Sequence, residues 1–357
     1  MTIAIEQATG LMTAAVLYGS EDLRVEQIEV PQIAADEVLL KVRVALTCGT
    51  DLKVWKRGYH AKMITPPAVF GHELAGDIVA MGSDVKGGLR LGMRMVPANS
   101  APCGECFYCK KRQENLCEDL LFNNGAYADF VRIPGRIVRK NLLEIPAHVS
   151  YVDAAMIEPL ACVLRGIHET EIHAGDTVGV IGCGPIGLQF VRLLAAKGAN
   201  VIALGKRKSQ VLAAERLGAR TAINVSGMVV EEIPSVVKKH TPHGHGLDAV
   251  IEAVGFPWTC AWALEMARPG GTVNWFAGCE RGTRLEIEPA TLHYSNITIK
   301  SSFHHTPEFI REALAAVARG DVRASDFVSN EAPLRDLPHV FEKMKTNRDG
   351  MKTAILP

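Results

Sequence analysis

The six residues Gly182, Cys183, Gly184, Pro185, Ile186 and Gly187 constrain this chain more than any other stretch. They fit G-x-G-x-x-G, follow the short apolar run 177–181 and open the helix-like run 186–197. Strand, glycine turn, helix is the context in which this motif binds a dinucleotide. The first glycine permits a tight turn, the second lets a pyrophosphate approach the backbone, and the third lets helix pack on strand. The helix N-terminus adds free N–H groups and the positive end of a dipole for phosphate. Strand-like runs at 201–204, 248–254 and 272–276 alternate with helix-like runs at 208–217 and 259–267. That alternation predicts βαβ units and a parallel sheet, placed here at 162–295.

The end of the second strand informs cofactor choice. NAD-preferring folds carry an acid there, about twenty residues on, for the ribose 2′-hydroxyl. Here the chain reads Gly205, Lys206, Arg207, Lys208. A carboxylate would repel a 2′-phosphate, whereas Lys and Arg pair with it. We therefore expect NADP(H) over NAD(H), with Arg207 as the main phosphate contact. A solvated basic helix start is the bland alternative, although cations are disfavoured at that helix end.

A chain of 357 residues suggests about two domains, so the rest needs its own architecture. Residues 14–46 alternate β-rich runs with turn residues, and 38–46 reads as a strand. Another strand-like run covers 73–81, and 97–117 is punctuated by Pro, Gly and Cys. We expect a mostly-β domain over 1–161. The last stretch, 296–357, holds one clear helix at 307–319 and a terminal strand. It is too short to stand alone and is assigned back to the first domain. The expected fold is thus α/β, a mostly-β domain carrying an inserted Rossmann domain. Lys plus Arg equals Asp plus Glu at 39 each, so no basic excess is present to bind nucleic acid or a membrane surface. No apolar run reaches the roughly 18 residues of a membrane span. No secretory signal is legible, and the expected compartment is the cytoplasm, where thiols stay reduced.

Nine cysteines then need a reason other than disulfides. Cys103, Cys106, Cys109 and Cys117 fall within fifteen residues. Four thiolates at this spacing suit tetrahedral zinc in a closed structural site, here a lobe at 97–118. Its task is to hold an otherwise unsupported loop. Cys48, His72, Glu73 and Glu158 form a second set, with the composition of a catalytic zinc site that keeps one position open. On spacing alone, a satisfied structural histidine beside solvated or paired acids is the commoner reading.

The order of these landmarks is more specific. CGTD at 48–51, GHE at 71–73, the four-cysteine lobe, EPLACV at 158–163 and GCGPIG at 182–187 span nearly the whole chain. Together they resemble the zinc-dependent medium-chain dehydrogenase/reductase family of alcohol, sorbitol and threonine dehydrogenases. The resemblance implies a GroES-like catalytic domain, an inserted Rossmann domain and a cleft between them. It makes Cys48 and His72 zinc ligands, Glu73 the adjacent acid that ligates in some states, and Glu158 the third ligand of the polyol-type branch. Thr50 matches the hydroxyl that relays the substrate proton. The family often has His three residues further on, and here stands Lys53, so the outlet passes to Lys53, His60 or water.

The implied reaction moves a hydride between NADP(H) and a secondary alcohol or ketone, a polyol, sugar alcohol or related polar alcohol. A biosynthetic zinc reductase and a metal-assisted lyase or epimerase using its cofactor transiently are the alternatives. One catalytic and one structural zinc are expected, with a small-molecule alcohol or ketone as substrate and a homodimer or homotetramer as the assembly. His304 and His305 are read either as contacts to a polar substrate or as surface histidines at a helix start. Trp55 and Tyr59 are read as pocket or core.

Overall fold

Seven of the nine residues of Val38–Leu46 are buried, and only Lys41 and Arg43 reach solvent. A strand so apolar needs neighbours on both edges. It pairs antiparallel with Leu74–Met81, Phe130–Ile133 and Lys352–Leu356. The computed structural model describes residues 10–60, 62–346 and 351–357. Among these, the sheet runs in the order Leu142–Glu144, Arg94–Pro97, Leu74–Met81, Val38–Leu46, Lys352–Leu356, Val328–Pro333. The C-terminal strand therefore lies beside the central one. The chain divides into two units: Met1–Glu158 with His305–Pro357, and Pro159–His304.

An aromatic cluster fills the core of the first unit. Phe341, from the returning segment, lies 5.7 Å from Trp55, 5.8 Å from Phe70 and 6.2 Å from Tyr127 between ring centroids. All four are buried, which settles Trp55 as core, whereas Tyr59 is exposed. Each such side chain contributes about 1.5–3 kcal/mol by leaving water. Tyr127 also explains the glycine before His72. A Cβ on Gly71 would lie 2.6 Å from the Tyr127 ring. The cysteine-rich stretch is more ordered than the loop expected at 97–117. Ser100–Ala101 pairs with Leu121–Phe122 at its root, and a short helix covers Phe107–Lys110.

The second unit is a six-stranded parallel sheet. Its order is Thr221–Asn224, Asn200–Gly205, Thr177–Ile181, Leu247–Glu252, Ala267–Trp275, Thr298–Lys300. Sequence order reverses between Thr177–Ile181 and Leu247–Glu252, the switch point outside which a doubly wound sheet binds its ligand. The unit outruns the expected 162–295 because Thr298–Lys300 still pairs with Ala267–Trp275, and it ends at His304. Thr221–Asn224 is a further strand beyond those expected. Among the described residues, no helix is long and apolar enough to cross a membrane.

The glycine turn divides its labour. Gly182 takes φ +99°, in the region that favours glycine, and space is open around Gly184. A Cβ on Gly187 would stand 1.7 Å from the Gly182 carbonyl oxygen. Gly187→Ala should therefore destabilise the second unit by about 3 kcal/mol, the upper range for overpacking against backbone. Thermal unfolding of the variant checks this; an unchanged midpoint would show that helix Pro185–Ala196 can shift without cost.

Candidate active site and metal centres

Four sulfurs converge in the cysteine lobe. Cys103 Sγ lies 3.5 Å from Cys117 Sγ and 3.9 Å from Cys109 Sγ, and Cys106 Sγ lies 3.9 Å from Cys117 Sγ. All four fall within 4.8 Å of one another. Tetrahedral zinc at about 2.3 Å from each sulfur requires them about 3.8 Å apart. Backbone N–H groups already face the sulfurs: Cys103 N donates to Cys117 Sγ and Cys106 N to Cys103 Sγ. Hydrogen bonds from Cys109 and Glu118 backbone N–H groups lower the Cys106 thiol to about 6. The donor set thus fits a soft tetrahedral cation.

Cys48 sits where Val38–Leu46 ends and the helix Gly49–Arg57 begins, as that helix's N-cap. Its Sγ accepts from Thr50 N at 3.4 Å. Asp51, buried one turn in, holds the neighbourhood together. Its Oδ2 accepts from Cys48 N at 3.2 Å and from Tyr127 Oη at 2.6 Å. Its Oδ1 lies 2.9 Å from His72 Nδ1. Asp51 therefore fixes the imidazole with Nδ1 engaged and Nε2 left for a ligand role, the usual carboxylate–histidine support of a metal site. Thr50 is partly exposed and Lys53 exposed, one helical turn apart. His60 Nδ1 accepts from Lys62 N and Met63 N, so only its Nε2 is available to a proton path.

The two glutamates have different surroundings. Cys48, His72 and Glu73 present ligand atoms within 4.8 Å of one another. Yet both Glu73 oxygens accept from Lys352 Nζ, at 2.7 and 2.6 Å, and that ammonium also donates to Thr47 O at 3.0 Å. Lys352 and Glu73 are both buried, a compensated ion pair. Lys352 acts on Glu158 through its charge. It is buried on the helix Ile157–Thr170, with His305 Nε2 3.8 Å from its Oε1. Burial pushes its carboxyl up to about 7, with the charge of His72 opposing and that of Glu73 adding. The thiol–imidazole–carboxylate chemistry of Cys48, His72 and Glu158 fits zinc.

His305 is 2% exposed, so it is not a surface histidine. Its Nε2 lies 2.9 Å from Asn99 Oδ1. The His304 carbonyl, at φ +65°, accepts from Arg165 at 3.1 Å. Lys352, Asn99 and Tyr127 are the site residues that sequence reading missed. Each is a single polar group in an apolar strand or loop, without a motif. Cys279 is exposed, its Sγ 3.9 Å from that of buried Cys260.

The nucleotide residues gather at the carboxyl ends of the parallel strands. Gly205 closes Asn200–Gly205, and Arg207 is the N-cap of the helix Lys208–Arg216. A Cβ on Gly205 would lie 3.3 Å from Cys183 Sγ in the glycine turn itself, so an acidic side chain there would be cramped. Lys206 and Lys208 are exposed.

Replacing Lys352 by Met leaves Glu73 buried without its counter-charge. The expected cost is about 3–5 kcal/mol, and adding Glu73→Gln should recover most of it. Thermal unfolding of the single and double variants measures this; equal losses in both would show that packing, not charge, sets the cost.

Residues 34–146 match the family described as alcohol dehydrogenase GroES-like domain, and residues 185–319 match zinc-binding dehydrogenase. Sorbitol dehydrogenase from Bombyx mori is 30% identical over 352 residues, covering 96% of this chain and 97% of its own. L-threonine 3-dehydrogenase from Bacillus velezensis is 30% identical over 342 residues, covering 93% and 94%. Among solved structures, a zinc-binding dehydrogenase from Sinorhizobium meliloti 1021 bound to NADP superposes with TM-score 0.88 at 31% identity, over 98% of this chain and 100% of that one.

Proposed function

The chain belongs to the zinc-dependent medium-chain dehydrogenase/reductase family, and from that premise we propose an NADP(H)-dependent dehydrogenase of polyols or related polar secondary alcohols that carries two zinc ions. One observation supports this reading above the others: the ligand atoms of Cys48 and His72 lie within 4.8 Å of each other and of Glu73, an acid that Lys352 already neutralises, while the buried carboxyl of Glu158 feels the charges of His72 and Glu73. Cys48, His72 and Glu158 would hold the catalytic zinc, and Cys103, Cys106, Cys109 and Cys117 the structural one. Glu73 supports the site through Lys352 instead of ligating, because a cation at its oxygens would sit against an ammonium.

Zinc, when bound, supplies Lewis acidity toward the oxygen of the substrate alcohol. The protein's own groups do the rest. Asp51 keeps His72 oriented. The Thr50 hydroxyl would take the substrate proton as it releases its own outward, toward water, His60 or Lys53, the last one helical turn away on the same helix. Gly182, Gly184, Pro185, Ile186 and Gly187 cradle the pyrophosphate at a helix N-terminus. Lys206, Arg207 and Lys208 face a 2′-phosphate where Gly205 replaces the acid that would repel it. Hydride transfer to the nicotinamide is the cofactor's chemistry. The polar substrate class rests on the likeness to sorbitol and threonine dehydrogenases, and the cofactor on the basic run and the NADP-bound relative.

Initial rates of NADPH formation across polyols, sugar phosphates, amino alcohols and simple secondary alcohols test the whole reading. Turnover with NADP⁺ on a polar alcohol is expected. Silence throughout, with tight NADPH binding, would favour a biosynthetic reductase. Cys48→Ala and His72→Ala should each drop zinc from two to one per chain and abolish turnover while NADPH still binds; full turnover without that zinc would remove the assignment. Arg207→Ala should raise KM for NADP⁺ at least about tenfold, a loss of about 1.4 kcal/mol, and leave NAD⁺ nearly unaffected. Equal effects on both cofactors would rule out the phosphate contact.

A further inference from the structure

The two buried glutamates of the first unit are held in opposite ways, and the difference identifies two residues that neither motif nor likeness assigns. Lys352 saturates Glu73 with two short charged contacts. Glu158 instead has the His305 imidazole nitrogen 3.8 Å from its Oε1. A carboxylate meant for a cation needs this second treatment, because an ammonium would compete with the cation, whereas an imidazole bonded elsewhere limits movement and leaves the oxygens' lone pairs open. Asn99 and His305 supply it. Asn99 Oδ1 can only accept, so His305 Nε2 carries the hydrogen in their 2.9 Å bond. That N–H is anchored on the amide, and its edge stands beside Glu158 Oε1.

The anchor is itself rigid. Asn99 is 4% exposed and lies between the strands Arg94–Pro97 and Ser100–Ala101. Its carbonyl accepts from Asn123 N at 2.8 Å. The Ser100 carbonyl next to it accepts from Asn141 Nδ2 at 2.6 Å. Asn99 thus stands at the root of the cysteine lobe. His305 directly precedes Thr306, the N-cap of the helix Pro307–Arg319. Three segments far apart in sequence place one polar side chain each, all buried, in one chain of contacts: Asn99, His305, Glu158.

We propose that Asn99 and His305 are positioning residues that hold the Glu158 carboxylate in the attitude needed to ligate the catalytic zinc; this rests on the reading of Glu158 as a ligand. Partners of this kind typically change metal affinity 10–100-fold when removed. The test uses the zinc-loaded full chain and three readouts: the rate at which a chelator removes each zinc, the visible spectrum after cobalt replaces the catalytic zinc, and kcat and KM separately. His305→Leu and Asn99→Leu should each release one zinc about 10–100-fold faster, shift the cobalt spectrum and lower kcat, while the lobe zinc stays. His305→Gln fills similar space, keeps a donor for Asn99, and should restore slow release. Native release rates and spectra in both Leu variants would overturn the proposal. So would a change in KM alone, which would make His305 a substrate contact. Glu158→Ala separates the two levels: if it releases zinc at the native rate with an unshifted spectrum, the ligand reading itself fails, whatever the His305 variants do.

Discussion

Charge compensation away from water is the constraint around which the first unit is built. Asp51, Glu73 and Glu158 are buried close to Cys48 and His72, and Lys352 is the buried ammonium among them. An isolated carboxylate in an apolar interior costs several kcal/mol even after relaxation. Each acid therefore has its own answer. Asp51 is surrounded by donors: a phenol, a backbone N–H and an imidazole. Glu73 has Lys352. Glu158 has the polar edge of His305 and the charges of His72 and Lys352, and burial still pushes its carboxyl up to about 7. A divalent cation at the proposed position completes the set, so metal binding and the stability of this unit draw on the same free energy.

That constraint explains the topology. The proposed ligand positions 48, 72 and 158 and the compensating position 352 come from separate segments of the chain. The strand Lys352–Leu356 pairs with the far end of Val38–Leu46, Ala354 opposite Leu46, and this register delivers Lys352 to Thr47 and Glu73. Phe341 returns to the aromatic core in the same segment. The first unit lacks both its counter-charge and a central strand until the last fifty or so residues are in place. The Rossmann unit is consequently an insertion that must leave its two chain ends able to resume one sheet.

What was legible in the sequence was local. The glycine turn carries its context within twenty residues. The cysteine lobe is closed by ligands within fifteen, so spacing alone brings the sulfurs together. Cys48, His72 and Glu158 became legible only as an ordered set of landmarks, because no local geometry unites them. Lys352 sits in a run that reads correctly as a strand, but period-two patterning does not tell a buried lysine from an exposed one when its partner is 279 residues away. The Asn99–His305 contact spans 206 residues and was invisible for the same reason. Thr221–Asn224 and Thr298–Lys300 escaped because they are short and only partly buried, and their place at the sheet's two edges relaxes the apolar requirement.

The basic helix start of the second unit fits the proposed cofactor. Lys206, Arg207 and Lys208 crowd the start of the helix Lys208–Arg216, where the dipole disfavours cations by about 0.3–1 kcal/mol each. No acid stands in the first turn of that helix to offset them. Gly205, wedged against Cys183, adds flexibility and no side chain. On stability alone an acid at the strand end and a neutral cap would be better choices. A bound 2′-phosphate reverses the sign of these terms, since it faces the N–H groups and the cations together. Binding would then relieve a strain present in the free protein, and NADP(H) would stabilise this unit beyond what the shared dinucleotide contacts give. On the proposed reading the basic run would be a specificity element whose energetic cost falls on the unliganded state, just as the buried Glu158 would place the cost of the metal site on the metal-free state.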